Sequence, residues 1–493
     1  MIRFTKLLLV VFVLVIVVSG QTSPPPPSQP RSVEFPKPVE QILPNGLRVI
    51  LIERHNTPLV TVALVIKNGG EVDPPALAGV ADLTANLLTK GTTTRSATKI
   101  ADEVESLGGM LDSVAQWDAT TVSVQVMSDK LTAATGILAD VVRRPTFKLD
   151  EIERLRQQYL DTVTLSLDEP SSIARFVGAK VLFGDDLYGH PILGTVESLK
   201  RIKQADIVRM HRQYYRPDNA ILVIGGDISS AAGFNVAKRF FGDWIKPRTR
   251  VPAMPAAYQP DPQKKSRVLV IDKPDAGQAA VFLLRRGIDR KDADYYRGIV
   301  SNSVLSGYSG RLNQEIRIKR GLSYGAGSSL EARRGVGPYV ASAQTKNESA
   351  VEVAALLLGE VERLSSAPPT DVELTPRKAV LIGEFSRNME AVNGLVTRIS
   401  RLALYSVRLD EINSYIDSVQ SVTPEDVRQF SSSRLDAKSS DIIIVGNSKV
   451  FLSELQKRFA NVEVISAADL DLNTKSLRKK KIGMIREVLR REL

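Results

Sequence analysis

Two short, almost wholly apolar runs stand at matching places in the chain and restrict its fold more than any other feature. Ala220 to Gly226 reads AILVIGG, and Asp441 to Gly446 reads DIIIVG. Each reads as a buried strand. Each also closes a similar succession of β-branched strands, a helix, further strands and long amphipathic helices. Repetition on this scale indicates a tandem duplication of α+β domains, each an antiparallel β-sheet flanked by helices. Pro247, Pro252, Pro255, Pro260 and Pro262 fall between the copies and mark a linker over 247–266. A first domain at 36–246 and a second at 267–470 remain.

Local patterns fill in both halves. Leu43-Pro44-Asn45-Gly46-Leu47 is a hairpin turn, Leu59 to Lys67 a central strand, and Met110 to Ser128 an antiparallel pair. In the second half, Arg267 to Ile271 and Ala279 to Leu284 read as paired strands, with helices over 351–364 and 371–390. Thr423-Pro424-Glu425-Asp426 carries an N-cap followed by proline at the first helical position. Gly225-Gly226-Asp227 lacks the further glycines of a nucleotide loop and reads as a plain turn.

The ends of the chain have a different character. Arg3 and Lys6 precede an apolar run from Leu7 to Val18, too short to span a bilayer and of signal-peptide length, with small residues at Val18 and Gly20. An exported protein with a signal peptide over 1–20 is the expectation, periplasmic or extracellular, and membrane-tethered if the leader stays uncleaved. Residues 21–35, with Pro24 to Pro27 in a row, form an extended leader. The chain contains no cysteine, which removes disulfides, thiolate metal sites and lipid attachment through cysteine. Part of the net charge of +11 lies in a basic tail over 471–493, where Ile482, Ile485, Val488 and Leu489 interleave with lysines and arginines. That pattern suits a solvated tail or weak contact with an anionic membrane surface. No nucleic-acid motif is present.

The chemistry turns on the helix expected over Ala78 to Thr92. Val80, Leu83, Leu87 and Leu88 define its buried face, and Asp82 and Asn86, four apart, share another. Together with Asn68-Gly69-Gly70, Gly79, Lys90-Gly91-Thr92 and Ser106-Leu107-Gly108-Gly109, this stretch resembles the insulinase and pitrilysin zinc peptidases, the inverzincins. In them this helix carries H-x-x-E-H. The resemblance places the first histidine at Asp82, the glutamate at Ala85, the second histidine at Asn86 and the third ligand, a glutamate, at Thr162; Asp161 would serve only after a slip of one residue. None of the four positions keeps its ligand or base. Catalytic zinc needs three protein ligands and a proton acceptor for its water, so this chain alone is expected to hold no metal and to lack hydrolytic machinery. His55, His190 and His211, the only histidines, are not spaced to bind a metal together and read as surface or capping residues.

The second half keeps what the first has lost. Gly307, Ser309-Gly310-Arg311-Leu312, Gln314-Glu315-Ile316-Arg317 and Arg320-Gly321-Leu322-Ser323-Tyr324 resemble the C-terminal half of the same peptidases. Gly321 suits a left-handed helix end, which puts Arg317 near that end and Tyr324 on the following strand. The resemblance, over Pro36 to Leu470, implies two like halves facing across a cleft, with Arg317 and Tyr324 holding substrate. It further implies a non-catalytic, peptide-binding subunit paired with an H-x-x-E-H chain that brings the zinc. The alternative is a peptidase fold kept for assembly or peptide binding without a catalytic role.

Overall fold

The computed structural model describes residues 35–253 and 266–479. The expected signal peptide, the leader to residue 34, the middle of the linker and the tail from residue 480 lie outside the described residues. Strands β1 (Val39–Ile42), β2 (Arg48–Glu53), β3 (Leu59–Ile66), β4 (Met110–Ala115), β5 (Thr120–Met127) and β6 (Ala220–Gly226) form one sheet, ordered β1-β2-β6-β3-β5-β4. Strands β7 (Val268–Asp272), β8 (Ala279–Arg286), β9 (Ala326–Leu330), β10 (Pro338–Thr345), β11 (Asp441–Gly446) and β12 (Val462–Ser466) form another, ordered β12-β7-β11-β8-β10-β9. From β2 and β7 onward the two orders correspond strand for strand. The duplication expected from the sequence is therefore a duplication of topology.

Two expectations need correction. Both sheets are mixed rather than antiparallel, because β2 runs parallel to β6, and β7 runs parallel to both β11 and β12. The strands expected to pair at the start of the second half do not pair, because β11 lies between β7 and β8. The cause is the same in each half. Its last long strand returns after several helices, and so long a connection removes the antiparallel constraint of a hairpin.

Five helices position the site: α1 (Val80–Leu87), α2 (Leu149–Asp168), α3 (Pro170–Phe183), α4 (Asp371–Glu390) and α5 (Val392–Leu404). Both α2 and α4 are 20 residues long, and each is broken by one extended residue, Glu169 or Ala391, before a second helix begins. Pro170 disfavours helical backbone at Glu169 and then opens α3 as its first residue. These second helices cross over. α3, from the first half, packs on β8 and β11 of the second sheet, and α5, from the second half, packs on β3 and β6 of the first.

The alternation of side chains along the strands records the exchange. In β2, β3 and β6, Val49, Leu51, Val62, Leu64, Leu222 and Ile224 belong to the first half's own core. Their neighbours Ile50, Ile52, Ala63, Val65, Ile221 and Val223 pack in the core that holds Leu395, Val396 and Ile399 of α5. In the second sheet, Leu269, Ile271, Phe282, Leu284, Ile443 and Val445 meet Ile173, Ala174 and Val177 of α3. The approach is close: a Cβ on Gly225 would lie 2.7 Å from Val396 Cγ2, and one on Gly178 would lie 2.9 Å from Leu284 Cδ1.

Burying a large aliphatic side chain contributes about 1.5–3 kcal/mol. Leu395, Val396, Ile399 and Leu402 together therefore rival the whole net stability of a domain, about 5–15 kcal/mol. Expressed alone, the first half lacks α5 and is expected to bind a hydrophobic dye and to lose its cooperative unfolding transition. Gly225→Val is expected to destabilise the full chain by about 1–3 kcal/mol through overpacking, read as a shift of the denaturant midpoint. An unmoved midpoint would contradict the seating of α5 on β6.

Candidate functional site

Helix α1 is shorter than its sequence pattern, running from Val80 to Leu87 before a 3-10 turn over Leu88–Lys90. Val80, Leu83, Leu87 and Leu88 are buried as expected. Its N-terminus is capped from a distance, since the buried Asp73 carboxylate accepts the backbone N–H groups of Gly79 (2.7 Å) and Ala81 (2.9 Å). This is a favourable place for negative charge. Burial nevertheless pushes the Asp73 carboxyl well above the usual range.

The positions that would serve zinc are engaged elsewhere. Tyr159 on α2 donates a 2.6 Å hydrogen bond to Asp82 Oδ2, and burial raises the pKa of that carboxyl. Asn86 Nδ2 turns back to the Asp82 carbonyl at 3.0 Å. Ala85 is buried and offers only its carbonyl, which Ser113 on β4 already uses (2.6 Å). Thr162 is exposed and donates to the Gln158 carbonyl, while exposed Asp161 accepts from Gln157. Among the described residues no three His, Cys, Asp or Glu side chains are grouped to hold a metal. The donor set does not fit catalytic zinc: one carboxylate is spent on a tyrosine, one amide on its own helix, and no base stands at residue 85.

Of the histidines, His55 lies on the surface and meets Asp227 at 2.8 Å. His190 is buried, with its ring nitrogens 3.0 and 3.1 Å from the carbonyls of Pro191 and Gly70. His211 stacks on Tyr215 and bonds the Val142 carbonyl at 2.7 Å, and burial lowers its pKa to about 4. Neither has metal-ligand company.

A cluster that the sequence did not announce joins the halves. The turn between β9 and β10 carries Arg333 and Arg334 into the first half. Arg334 donates to the carbonyls of Lys67 (2.7 Å) and Asp118 (2.8 Å) and pairs with Glu71 at 3.2 Å. The Asp118 carboxylate accepts from Tyr188 (2.6 Å), Tyr405 (3.0 Å) and the Arg334 backbone N–H (2.8 Å). Arg333 lies 4.7 Å from the ring centres of both Trp117 and Tyr188. Two adjacent arginines in a turn ordinarily signify a solvated loop, so no local signal marked them. Burial pushes Glu71 up to about 7 against the opposing pull of Arg334.

In the second half, Asn313–Ile318 is a π-helical turn, and Gly321, just beyond it, has a φ of +64°, the left-handed conformation expected there. Such turns are rare and concentrate at functional sites. Arg317 lies in it, with its guanidinium 5.6 Å from the Tyr308 ring centre. Lys319 and Arg320 both pair with Glu315, at 2.8 and 2.7 Å. Arg317 has no ion pair among the described residues. Tyr324 is in the loop before β9 rather than on a strand, and is 89% exposed. The chain turns at Gly321 and needs several residues to enter the sheet at Ala326.

Strands β4 and β9 are the outer edges of their sheets, and both border a 440 Å³ cavity between the halves, through Ala115 and Leu330. Along β4, Met110, Asp112 and Val114 face solvent. The arrangement offers an unpaired strand edge beside a crevice.

Known proteins resemble the chain along most of its length. Residues 48–188 match the family model described as insulinase (peptidase family M16), and residues 201–381 match the peptidase M16 inactive domain. An uncharacterized zinc protease of Streptomyces coelicolor is 25% identical over 405 residues, 82% of this chain and 88% of that protein. One from Bacillus subtilis is 24% identical, covering 78% and 92%. Among solved structures, the peptidase M16 inactive domain from Pseudomonas fluorescens superposes with a TM-score of 0.78 at 26% identity, covering 83% of this chain and 98% of that one. A protease from Helicobacter pylori, at 20% identity and the same TM-score, shares the fold.

The purified chain is expected to carry no stoichiometric zinc by elemental analysis and to melt at the same temperature with and without chelator. A second expectation concerns Glu71. Between its ordinary pKa near 4.5 and about 7, the folded state holds a proton that the unfolded state has lost. The stabilising contribution is therefore full below about 4.5 and disappears as pH rises through about 7. Glu71→Gln removes this titration, so its stability relative to wild type should rise across that interval by about 3 kcal/mol, measured by denaturant melts along a pH series.

Proposed function

This chain belongs to the insulinase family, peptidase M16, and from its lost hydrolytic residues and retained second half we propose that it is the non-catalytic, peptide-binding subunit of an exported heterodimeric zinc peptidase. Its partner carries H-x-x-E-H and supplies both the zinc and the water-activating base. The observation that carries this reading is the state of Arg317. Its basic neighbours are neutralised by Glu315, whereas Arg317 has no acidic partner among the described residues and sits in a π-helical turn. A guanidinium presents forked donors and the phenol of Tyr324 a further one, which suits peptide carbonyls and developing negative charge on oxygen.

Peptide lies extended against the free edge of β4, where backbone hydrogen bonds give affinity with little dependence on sequence. The first half shapes that edge without attacking the bond. Ser113 of β4 is tied to α1 through the Ala85 carbonyl, and Asp82 ties α1 to α2 through Tyr159. Export rests on the N-terminal apolar run.

Mixing the purified chain with a zinc-bearing M16 subunit is expected to yield peptide hydrolysis that neither chain gives alone. Arg317→Ala should reduce the joint activity by about 10²–10³-fold, the usual loss on removing one donor to a developing oxyanion. It should leave the melting temperature unchanged, because Arg317 has no ion pair to lose among the described residues. Joint activity insensitive to Arg317→Ala would favour the assembly role instead.

A further inference from the structure

The helix exchange leaves each sheet incompletely covered. A helix with its side chains is about 10–12 Å across and strands are spaced about 4.8 Å apart, so one helix covers about two strands. On the second sheet α3 covers β11 and β8, and the same face of the neighbouring β10 is left open beside it. A cavity of 310 Å³ lies there. Its floor is Phe282, Leu284 and Val340, its side is Phe176 and Leu182 of α3, and Trp117 of the first half closes it. On the first sheet α5 covers β6 and β3, and the 440 Å³ cavity lies beyond it, toward β5 and β4. The two cavities share Trp117, Ile192, Glu331 and Arg333 as a partition. Arg333, held between the Trp117 and Tyr188 rings and against Glu331, fixes that wall.

The smaller cavity is set apart by its lining. A dry apolar cavity of about 150 Å³ accommodates benzene. One of 310 Å³ has room for a two-ring aromatic group or for an aromatic side chain with part of its backbone. Arg175, on the exposed side of α3, also lines it and has no ion pair among the described residues. A recess with an aromatic and aliphatic floor, whose lining acid Glu331 is already neutralised by Arg333 and whose rim carries the unpaired Arg175, is complementary to an aromatic group that carries a carboxylate.

We propose that this cavity binds the aromatic C-terminal residue of a peptide, with its ring against Phe176, Phe282 and Val340 and its carboxylate against Arg175. The inference rests on the reading that the chain binds peptide, and it names the side chain that the second half selects. Burial of the ring supplies most of the affinity, since an aromatic side chain removes about 150–250 Å² from water. Arg175 adds the preference for a free carboxylate over an amide.

The test uses the full chain and a fluorescent probe of the same chemistry, 1-naphthylacetate, with 1-naphthylacetamide as its uncharged counterpart. Binding of each is read by isothermal titration calorimetry, because naphthyl and tryptophan emission overlap. Saturable binding at one site is expected. Arg175→Gln should weaken the acetate about fivefold and the amide less than about twofold, as for one solvent-exposed charge contact. Ser342→Phe, which fills the cavity from β10, should abolish both; Val340→Trp is the second filling variant should the first fail to fold. A short peptide ending in free phenylalanine should displace the probe, and its C-terminal amide should do so less well. Absence of saturable binding, or binding indifferent to both Arg175→Gln and the filling variants, would overturn the proposal. Probe binding with no displacement by peptide would overturn its peptide part and leave a site for free aromatic acids. Arg317→Ala separates this from the proposed function, because it should leave probe binding intact. Joint hydrolysis that depends on Arg317 in a chain that binds no probe would sink only the cavity assignment.

Discussion

Every other feature of this molecule depends on the covering of two sheets by borrowed helices. A central strand such as β6 or β11, apolar on both faces, cannot leave either face in water. The second cover of each sheet comes from the opposite half. Long helix, one extended residue, crossing helix is the device in both halves. Glu169 takes its extended conformation from Pro170, while Ala391 takes it without a following proline. The consequence is an interlock rather than two bodies hinged at a linker, since separating the halves would strip Val396 from Gly225 and Leu284 from Gly178.

That interlock gives the crevice between the halves a fixed shape. The β9–β10 turn adds polar contacts to it, with Arg334 on Glu71 and two first-half carbonyls and Asp118 gathering Tyr188 and Tyr405. Buried charge of this kind is retained only when every partner is present, because a lone carboxylate or guanidinium in such a place costs several kcal/mol. The edge strands β4 and β9 thus meet one crevice in a set relation, which suits a surface that positions an extended chain.

Helix α1 is tied into the fold by hydrogen bonds from its neighbours. Asp82 joins α1 to α2 through Tyr159, and Ser113 joins β4 to α1 through the Ala85 carbonyl. Charge is satisfied internally elsewhere too. In the basic tail Lys475 pairs with Asp185, Arg478 with Glu463, and Lys479 bonds the Ala468 carbonyl, so these three side chains serve the fold. Among the described residues no helix is long and apolar enough to cross a membrane.

The sequence by itself determined the duplication, the strands and long helices, the left-handed Gly321 and the donor atoms that Asp82, Ala85, Asn86 and Thr162 can offer. Those properties are carried by local periodicity, by φ preference and by which donor atoms a residue type possesses. Strand order, the parallel pairings, the helix exchange, the arginine turn between the halves and the cavities beside α3 and α5 were decided only by tertiary structure. An apolar face records that it is buried but not what buries it. Likewise, Arg333-Arg334 or Asp82 carries the same letters whether it faces water or a partner brought from hundreds of residues away.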